Sequence, residues 1–111
     1  MTNPIFETIE EEVKENDIVL FMKGSKKVPQ CGFSATVCQV LERLGVEEYR
    51  DINVLEDQDI REGIKQFSDW PTIPQLYIKG EFLGGADIIR EMYMSGELKQ
   101  ILDDKGVGAV A

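Results

Sequence analysis

Apolar side chains recur in two rhythms along this 111-residue chain. Ile5, Ile9 and Val13 fall every four residues, which predicts an amphipathic helix with Glu7, Glu10, Glu11 and Glu12 turned partly outward. Asn3-Pro4 supplies an N-cap followed by proline at the first helical position, and Glu7 suits the positive end of that helix. Ile18-Val19-Leu20-Phe21-Met22 is instead an unbroken apolar run between Asn16-Asp17 and Lys23-Gly24-Ser25, as expected of a central strand buried on both faces. After a loop from Gly24 to Gln30, the helical period returns from Cys31 to Leu44. Phe33, Val37, Val40, Leu41 and Leu44 share one side, and Gly45 stands where a left-handed C-terminal cap belongs.

Tyr49 to Val54 predicts a second, weaker strand. Asp57 or Asp59 opens a third helix, with Ile60, Ile64 and Phe67 on one face. Trp70-Pro71-Thr72-Ile73-Pro74 interrupts any helix. Ile73 and Gln75 to Ile78 then read as a strand, Lys79-Gly80-Glu81 as a tight turn, and Phe82-Leu83 as the hairpin partner, stopped by Gly84-Gly85. Asp87 to Met94 and Glu97 to Leu102 read as helices, and Gly106 to Ala111 is expected to fray. The first half is a βαβ unit, which requires a parallel pair with a right-handed crossover. The second is an antiparallel hairpin closed by a helix. The economical solution is an α/β domain spanning the whole chain: a four-stranded mixed sheet flanked by helices.

Charge and composition narrow the chemistry. With 12 basic and 21 acidic side chains the formal net charge is −9, which argues against nucleic acid, whose phosphates need a basic stripe. No apolar run approaches the roughly 20 residues of a membrane-spanning helix. The acidic N-terminus has neither a basic n-region nor a long apolar stretch, so a cytoplasmic location is expected, where thiols stay reduced. The chain has no histidine, which removes imidazole acid–base chemistry and Cys/His or His/carboxylate zinc sites.

Two cysteines remain. Cys31 follows a strand and a loop and begins a helix, where unpaired N–H groups and the positive helix end favour a thiolate. Lys23, Lys26 and Lys27 add to that wherever their side chains approach. Cys31 is thus a candidate nucleophile or soft-metal ligand, set against an inert small apolar filler. Cys38 lies seven residues on, about 10.5 Å along the helix axis, beyond the roughly 7 Å that a disulfide spans. Its neighbours Val37 and Leu41 make it a core filler. Ser34 stands three residues after Cys31, so no Cys-x-x-Cys pair exists.

Lys23-Gly24, then Pro29-Gln30-Cys31-Gly32-Phe33-Ser34, then Trp70-Pro71-Thr72-Ile73-Pro74-Gln75, then Gly84-Gly85-Ala86-Asp87 together resemble a monothiol glutaredoxin of the CGFS type. The resemblance runs from about Ile5 to Leu102. It implies a thioredoxin fold, glutathione binding and a [2Fe-2S] cluster bridging a homodimer. Lys23 and Arg61 would meet the glycyl carboxylate of glutathione, each competing with the plainer role of a solvated surface charge. Thr72-Ile73-Pro74 would be a cis-proline loop whose Ile73 N–H and C=O pair with the extended backbone of glutathione. Gly85, Ala86 and Asp87 would hold its γ-glutamyl end, the Ala86 and Asp87 N–H groups taking the carboxylate at a helix N-terminus and the Asp87 carboxylate taking the ammonium. Asp87 also suits a simple N-cap. Many relatives carry Cys or Ser where Ala86 stands; the backbone role survives that change. Phe33 and Trp70 read as packing aromatics, Trp70 with a possible place in the site wall.

The implied function is cluster binding and transfer to iron–sulfur acceptor proteins. A cluster wants four thiolates: Cys31 from each of two chains, completed by two glutathiones. The alternative is a glutathione-dependent thiol–disulfide oxidoreductase acting through Cys31. A third reading, regulation through a BolA-like partner, follows from family association alone.

Overall fold

In the computed structural model, described over residues 3–107, the chain runs α1 (Pro4–Glu15), β1 (Ile18–Met22), α2 (Gly32–Arg43), β2 (Arg50–Asn53), α3 (Gln58–Ser68), β3 (Gln75–Ile78), β4 (Glu81–Gly84), α4 (Ala86–Ser95) and α5 (Glu97–Lys105). The sheet order is β2-β1-β3-β4. β1 pairs parallel with β2 and antiparallel with β3, and β4 returns antiparallel to β3. This is the mixed four-stranded sheet that the βαβ and hairpin patterns predict, arranged in the thioredoxin fold that the resemblance implies.

β1 shows why its sequence is apolar throughout. All five of its residues are buried. Ile18, Leu20 and Met22 face one core with Val37, Leu41, Ile89, Leu98 and Leu102, under α2, α4 and α5. Val19 and Phe21 face the other, with Ile9, Val13, Ile64 and Tyr77, under α1 and α3. A strand covered on both faces has no polar face to alternate with. The outer strand β2 is shorter than the pattern suggests and carries Arg50 and Asp51, charges that discourage edge-to-edge pairing.

The helix ends follow local chemistry. Asn3 Oδ1 accepts the Ile5 N–H at 3.1 Å and Pro4 takes the first helical position. Of the two aspartates, Asp57 is the N-cap of α3; its Oδ1 accepts from Asp59 and Ile60. Gly45, at φ +78, ends α2: its N–H reaches Glu42 and that of Val46 reaches Leu41, satisfying carbonyls that the helix leaves open.

Two expectations change. Phe33 does not share the buried side of α2; it is 63% exposed. Ser34 takes the inward position in that first turn, because the end of β1 needs a hydrogen-bond acceptor there. The fraying expected from Gly106 onward does not begin at Gly106. Gly106 caps α5, and Val107 donates to the Leu102 carbonyl and packs at the edge of the α2–α4–α5 core. The remainder of that tail, 108–111, lies outside the described residues.

Candidate functional site

The strand directions bring the C-terminal ends of β1 and β4 and the N-terminal end of β3 to one end of the sheet. The loop after β1 delivers the N-terminus of α2 there, and the turn after β4 delivers that of α4. Between them opens a cleft of about 380 Å³, lined by Lys23, Cys31, Arg61, Thr72, Ile73, Pro74, Gly85, Ala86 and Asp87, with Phe33, Lys65 and Trp70. Cys31 and the eight residues that the resemblance assigns to glutathione therefore all line this cleft. The volume suits a small molecule.

Cys31 is the N-cap of α2 and is partly exposed. Its thiol is held below the ordinary value of 9.0, chiefly by the Ser34 backbone N–H, which a thiolate accepts. Burial opposes this. The Phe33 N–H, the Lys23 charge and the Ser34 hydroxyl lower the pKa further. Ser34 is fully buried, and its Oγ accepts the Lys23 N–H at 3.1 Å. One hydroxyl thus ties the end of β1 to the first turn of α2.

The loop between Lys23 and Cys31 is anchored from β2. Asn53 Oδ1 accepts the N–H groups of Gly24 and Leu55, both at 3.0 Å, and Asp51 Oδ2 accepts that of Lys26 at 2.9 Å. Gly24, at φ +89, turns so tightly that a Cβ there would come within 2.5 Å of the Gln30 nitrogen and the Val28 carbonyl. The Gln30 N–H returns to the Lys23 carbonyl at 2.9 Å.

On the opposite wall, the Ile73–Pro74 peptide bond is cis. Gln75, fully buried at the start of β3, donates its Nε2 hydrogens to the carbonyls of Trp70 at 3.2 Å and Thr72 at 3.1 Å. Gly85 caps α4 in a tight place: a Cβ would lie 3.2 Å from Trp70 Nε1 and 3.3 Å from the Pro74 carbonyl, so its neighbours would have to give. Trp70 Nε1 is itself buried without a hydrogen-bond partner. Asp87 lies in the first turn of α4.

Sequence reasoning missed Lys65 in the lining, although it stands one helical turn after Arg61 on α3 and so on the same face. Of the three lysines offered to the thiol, two do not approach it. Lys26 points away from Cys31: its Nζ donates to the carbonyls of Glu47 and Tyr49 at 3.3 and 3.0 Å and sits 4.5 Å over the Tyr49 ring. Lys27 is exposed and does not line the cleft. The cleft therefore carries Lys23, Arg61 and Lys65 against Asp87, a local balance of +2 in a chain of net charge −9.

Cys38 is the contrasting thiol. It is 9% exposed, in the core, with its Sγ 3.8 Å from Met22 Sδ. Burial pushes its pKa up.

Residues 18–83 match the glutaredoxin family model. The chain is 61% identical over 102 residues to a probable monothiol glutaredoxin 2 of Rickettsia conorii, covering 92% of this chain and 94% of that one. It belongs to the monothiol glutaredoxins. Among solved structures of this fold, a monomeric truncated mutant of Trypanosoma brucei 1-C-Grx1 is 42% identical and superposes over 99% of both chains with a TM-score of 0.86. A buckwheat glutaredoxin–glutathione complex, 26% identical, superposes over 94% of this chain and 92% of that one at 0.80. The monothiol character of this glutaredoxin is explicit in the first turn of α2, where Ser34 stands three residues after Cys31.

Proposed function

We propose that the whole chain, residues 1–111, is one glutaredoxin domain that binds glutathione and carries a [2Fe-2S] cluster between two subunits. The observation that supports this most is the meeting of one activated thiol, Cys31, with a cationic cleft lined by the Thr72–Pro74 segment and the N-terminus of α4. Glutathione carries two carboxylates, an ammonium and a thiol. Lys23 and Arg61, with Lys65 beside them, take the glycyl carboxylate. The Ile73 N–H and C=O, flanked by Thr72 and Pro74, pair with the peptide backbone of the ligand in the manner of an added strand. The Ala86 and Asp87 N–H groups at the N-terminus of α4, beside Gly85, take the γ-glutamyl carboxylate, and the Asp87 carboxylate takes the ammonium. The buckwheat glutaredoxin–glutathione complex supports this assignment by fold.

The donor set matches the cargo. No group of three or more potential metal-binding His, Cys, Asp or Glu side chains occurs among the described residues. One chain offers one accessible thiolate, so a four-thiolate cluster needs Cys31 from two subunits and the thiolates of two glutathiones. Half of that set exchanges with solution, which suits delivery to iron–sulfur acceptor proteins. A BolA-like protein is a further partner on family grounds, and the reducing cytosol is the proposed setting. Among the described residues no helix is long and apolar enough to cross a membrane.

The lowered Cys31 pKa favours a second activity. The thiolate attacks the glutathione sulfur of a mixed disulfide; the S–S bond to the client breaks and the client leaves as its thiolate. A second glutathione thiolate then attacks the Cys31–glutathione disulfide, releasing glutathione disulfide and restoring the Cys31 thiolate. Anaerobic reconstitution with iron, sulfide and glutathione separates the readings. The carrier gives a coloured species that elutes as a dimer and needs glutathione. A colourless monomer with rapid turnover of a small mixed disulfide would reverse the ranking.

A further inference from the structure

Gln75 is one of two fully buried polar side chains assigned among the described residues, and it lies outside the cleft lining. Its hydrogen bonds have only one consistent arrangement. Carbonyl oxygens accept and do not donate, so the group facing the Trp70 and Thr72 carbonyls must be the amide nitrogen, which spends both hydrogens there. Its Oε1 is left to accept from the Tyr77 hydroxyl at 3.3 Å. Tyr77 is 2% exposed and packs edge-to-face at 5.6 Å against Phe21 and tilted at 5.3 Å against Phe82, so its ring holds the hydroxyl oxygen in place.

We propose that Gln75 is a positioning residue for ligand binding: its carboxamide pins the Trp70–Thr72 segment and so sets the backbone edge at Ile73 that glutathione pairs with. The inference rests on the glutathione reading above. A pin at this place has a clear mechanical sense. The Trp70 N–H closes α3 on the Lys65 carbonyl at 3.0 Å. The segment from Trp70 to Pro74 nonetheless belongs to no helix or strand, yet Thr72, Ile73 and Pro74 line the cleft. The carboxamide holds the carbonyls two positions apart with one nitrogen, and Tyr77 prevents it from turning over. Burial pushes the Tyr77 pKa up to about 12, which keeps that hydroxyl a donor at working pH.

The test is a titration of the full chain with reduced glutathione in oxygen-free buffer, read by the fluorescence of Trp70, the single tryptophan. Gln75→Glu keeps the shape but faces two carbonyls with an acceptor. It is expected to weaken glutathione about tenfold or more, with the pH midpoint of Cys31 alkylation unchanged, because Cys31 is held by α2. Tyr77→Phe keeps the ring and frees the carboxamide, and is expected to weaken binding about two- to threefold. If Gln75→Glu does not fold, Tyr77→Phe decides. A purely structural Gln75 would lower thermal stability and leave affinity at the wild-type value in the folded variants, which overturns the pin while the glutathione reading stands. A wild-type chain that does not bind glutathione overturns both.

Discussion

The N-cap and the second turn of α2 hold the two thiols of this protein, seven residues apart, and treat them in opposite ways. At the N-cap Cys31 meets backbone N–H groups that no helical carbonyl uses, a buried hydroxyl and a lysine, and its pKa falls. At the second turn the N–H groups are occupied by the helix itself. Cys38 meets Met22 and apolar neighbours, and its pKa rises. Residue type, helix and compartment are the same for both. Place along the helix and access to water decide which one reacts.

The largest expected difference is in reactivity. A short pulse of iodoacetamide on the native protein, followed by peptide mass spectrometry, should label Cys31 and leave Cys38 unmodified until denaturant is added. Comparable labelling of Cys38 in the native state would dissolve the contrast. Cys31→Ser should abolish both cluster reconstitution and mixed-disulfide turnover. Cys38→Ser should retain them and lose about 1–2 kcal/mol of stability in a urea titration, the cost of a hydroxyl in an apolar place. A cluster lost with Cys38 and kept without Cys31 would invert the assignment.

Ser34→Ala sharpens the comparison at the next level. It removes a hydroxyl beside the Cys31 thiolate and the acceptor of the Lys23 N–H. The alkylation midpoint of Cys31 should rise, and stability should fall by about 1–2 kcal/mol for the stranded donor. An unmoved midpoint would reduce Ser34 to a structural tie. The pH dependence has a definite sign. Because the folded thiol ionises below 9.0, its alkylation should reach half of its plateau rate below that pH. By the same linkage, the stability contributed by the thiolate is fully present above the unfolded value and is lost as pH falls through the native midpoint.

The lysines test charge alone. Lys23→Met should raise the same midpoint at least as much as Ser34→Ala does, because the Ala variant keeps the backbone N–H and loses only the hydroxyl, which lowers the thiol pKa less than the Lys23 charge. The difference from wild type should shrink in 1 M salt. Lys26→Met should leave Cys31 unmoved, because that ammonium is spent on the carbonyls of Glu47 and Tyr49. A Lys26 effect as large as that of Lys23 would contradict the placement of its side chain.

Periodicity made the fold readable: the unbroken apolar run of β1 announced a strand covered twice, and Asn3-Pro4 and Gly45 marked helix ends that the backbone then adopts. The site was readable where chemistry is carried by residue type at a chain junction, as for Cys31 and for the glycines before α4. What stayed hidden depends on direction. Lys23, Lys26 and Lys27 look alike in a row, but the anchoring of their loop to Asp51 and Asn53 sends Lys26 toward Tyr49. Phe33 fits the apolar stripe of α2, yet Ser34 occupies the inward place. Gln75 reads as an ordinary polar residue until three of its hydrogen-bond partners are seen together.

The +2 cleft on a −9 surface also gives the molecule two electrostatic ranges. Beyond the roughly 8 Å screening distance of physiological salt, an anionic tripeptide meets a net repulsive body; inside it, three cations attract. Added salt should therefore speed the encounter while it loosens the complex, so that capture and retention of the ligand respond to ionic strength in opposite directions. Stopped-flow association and dissociation rates at 20 and 200 mM salt, between which the screening length falls about threefold, would register this as a rise in both.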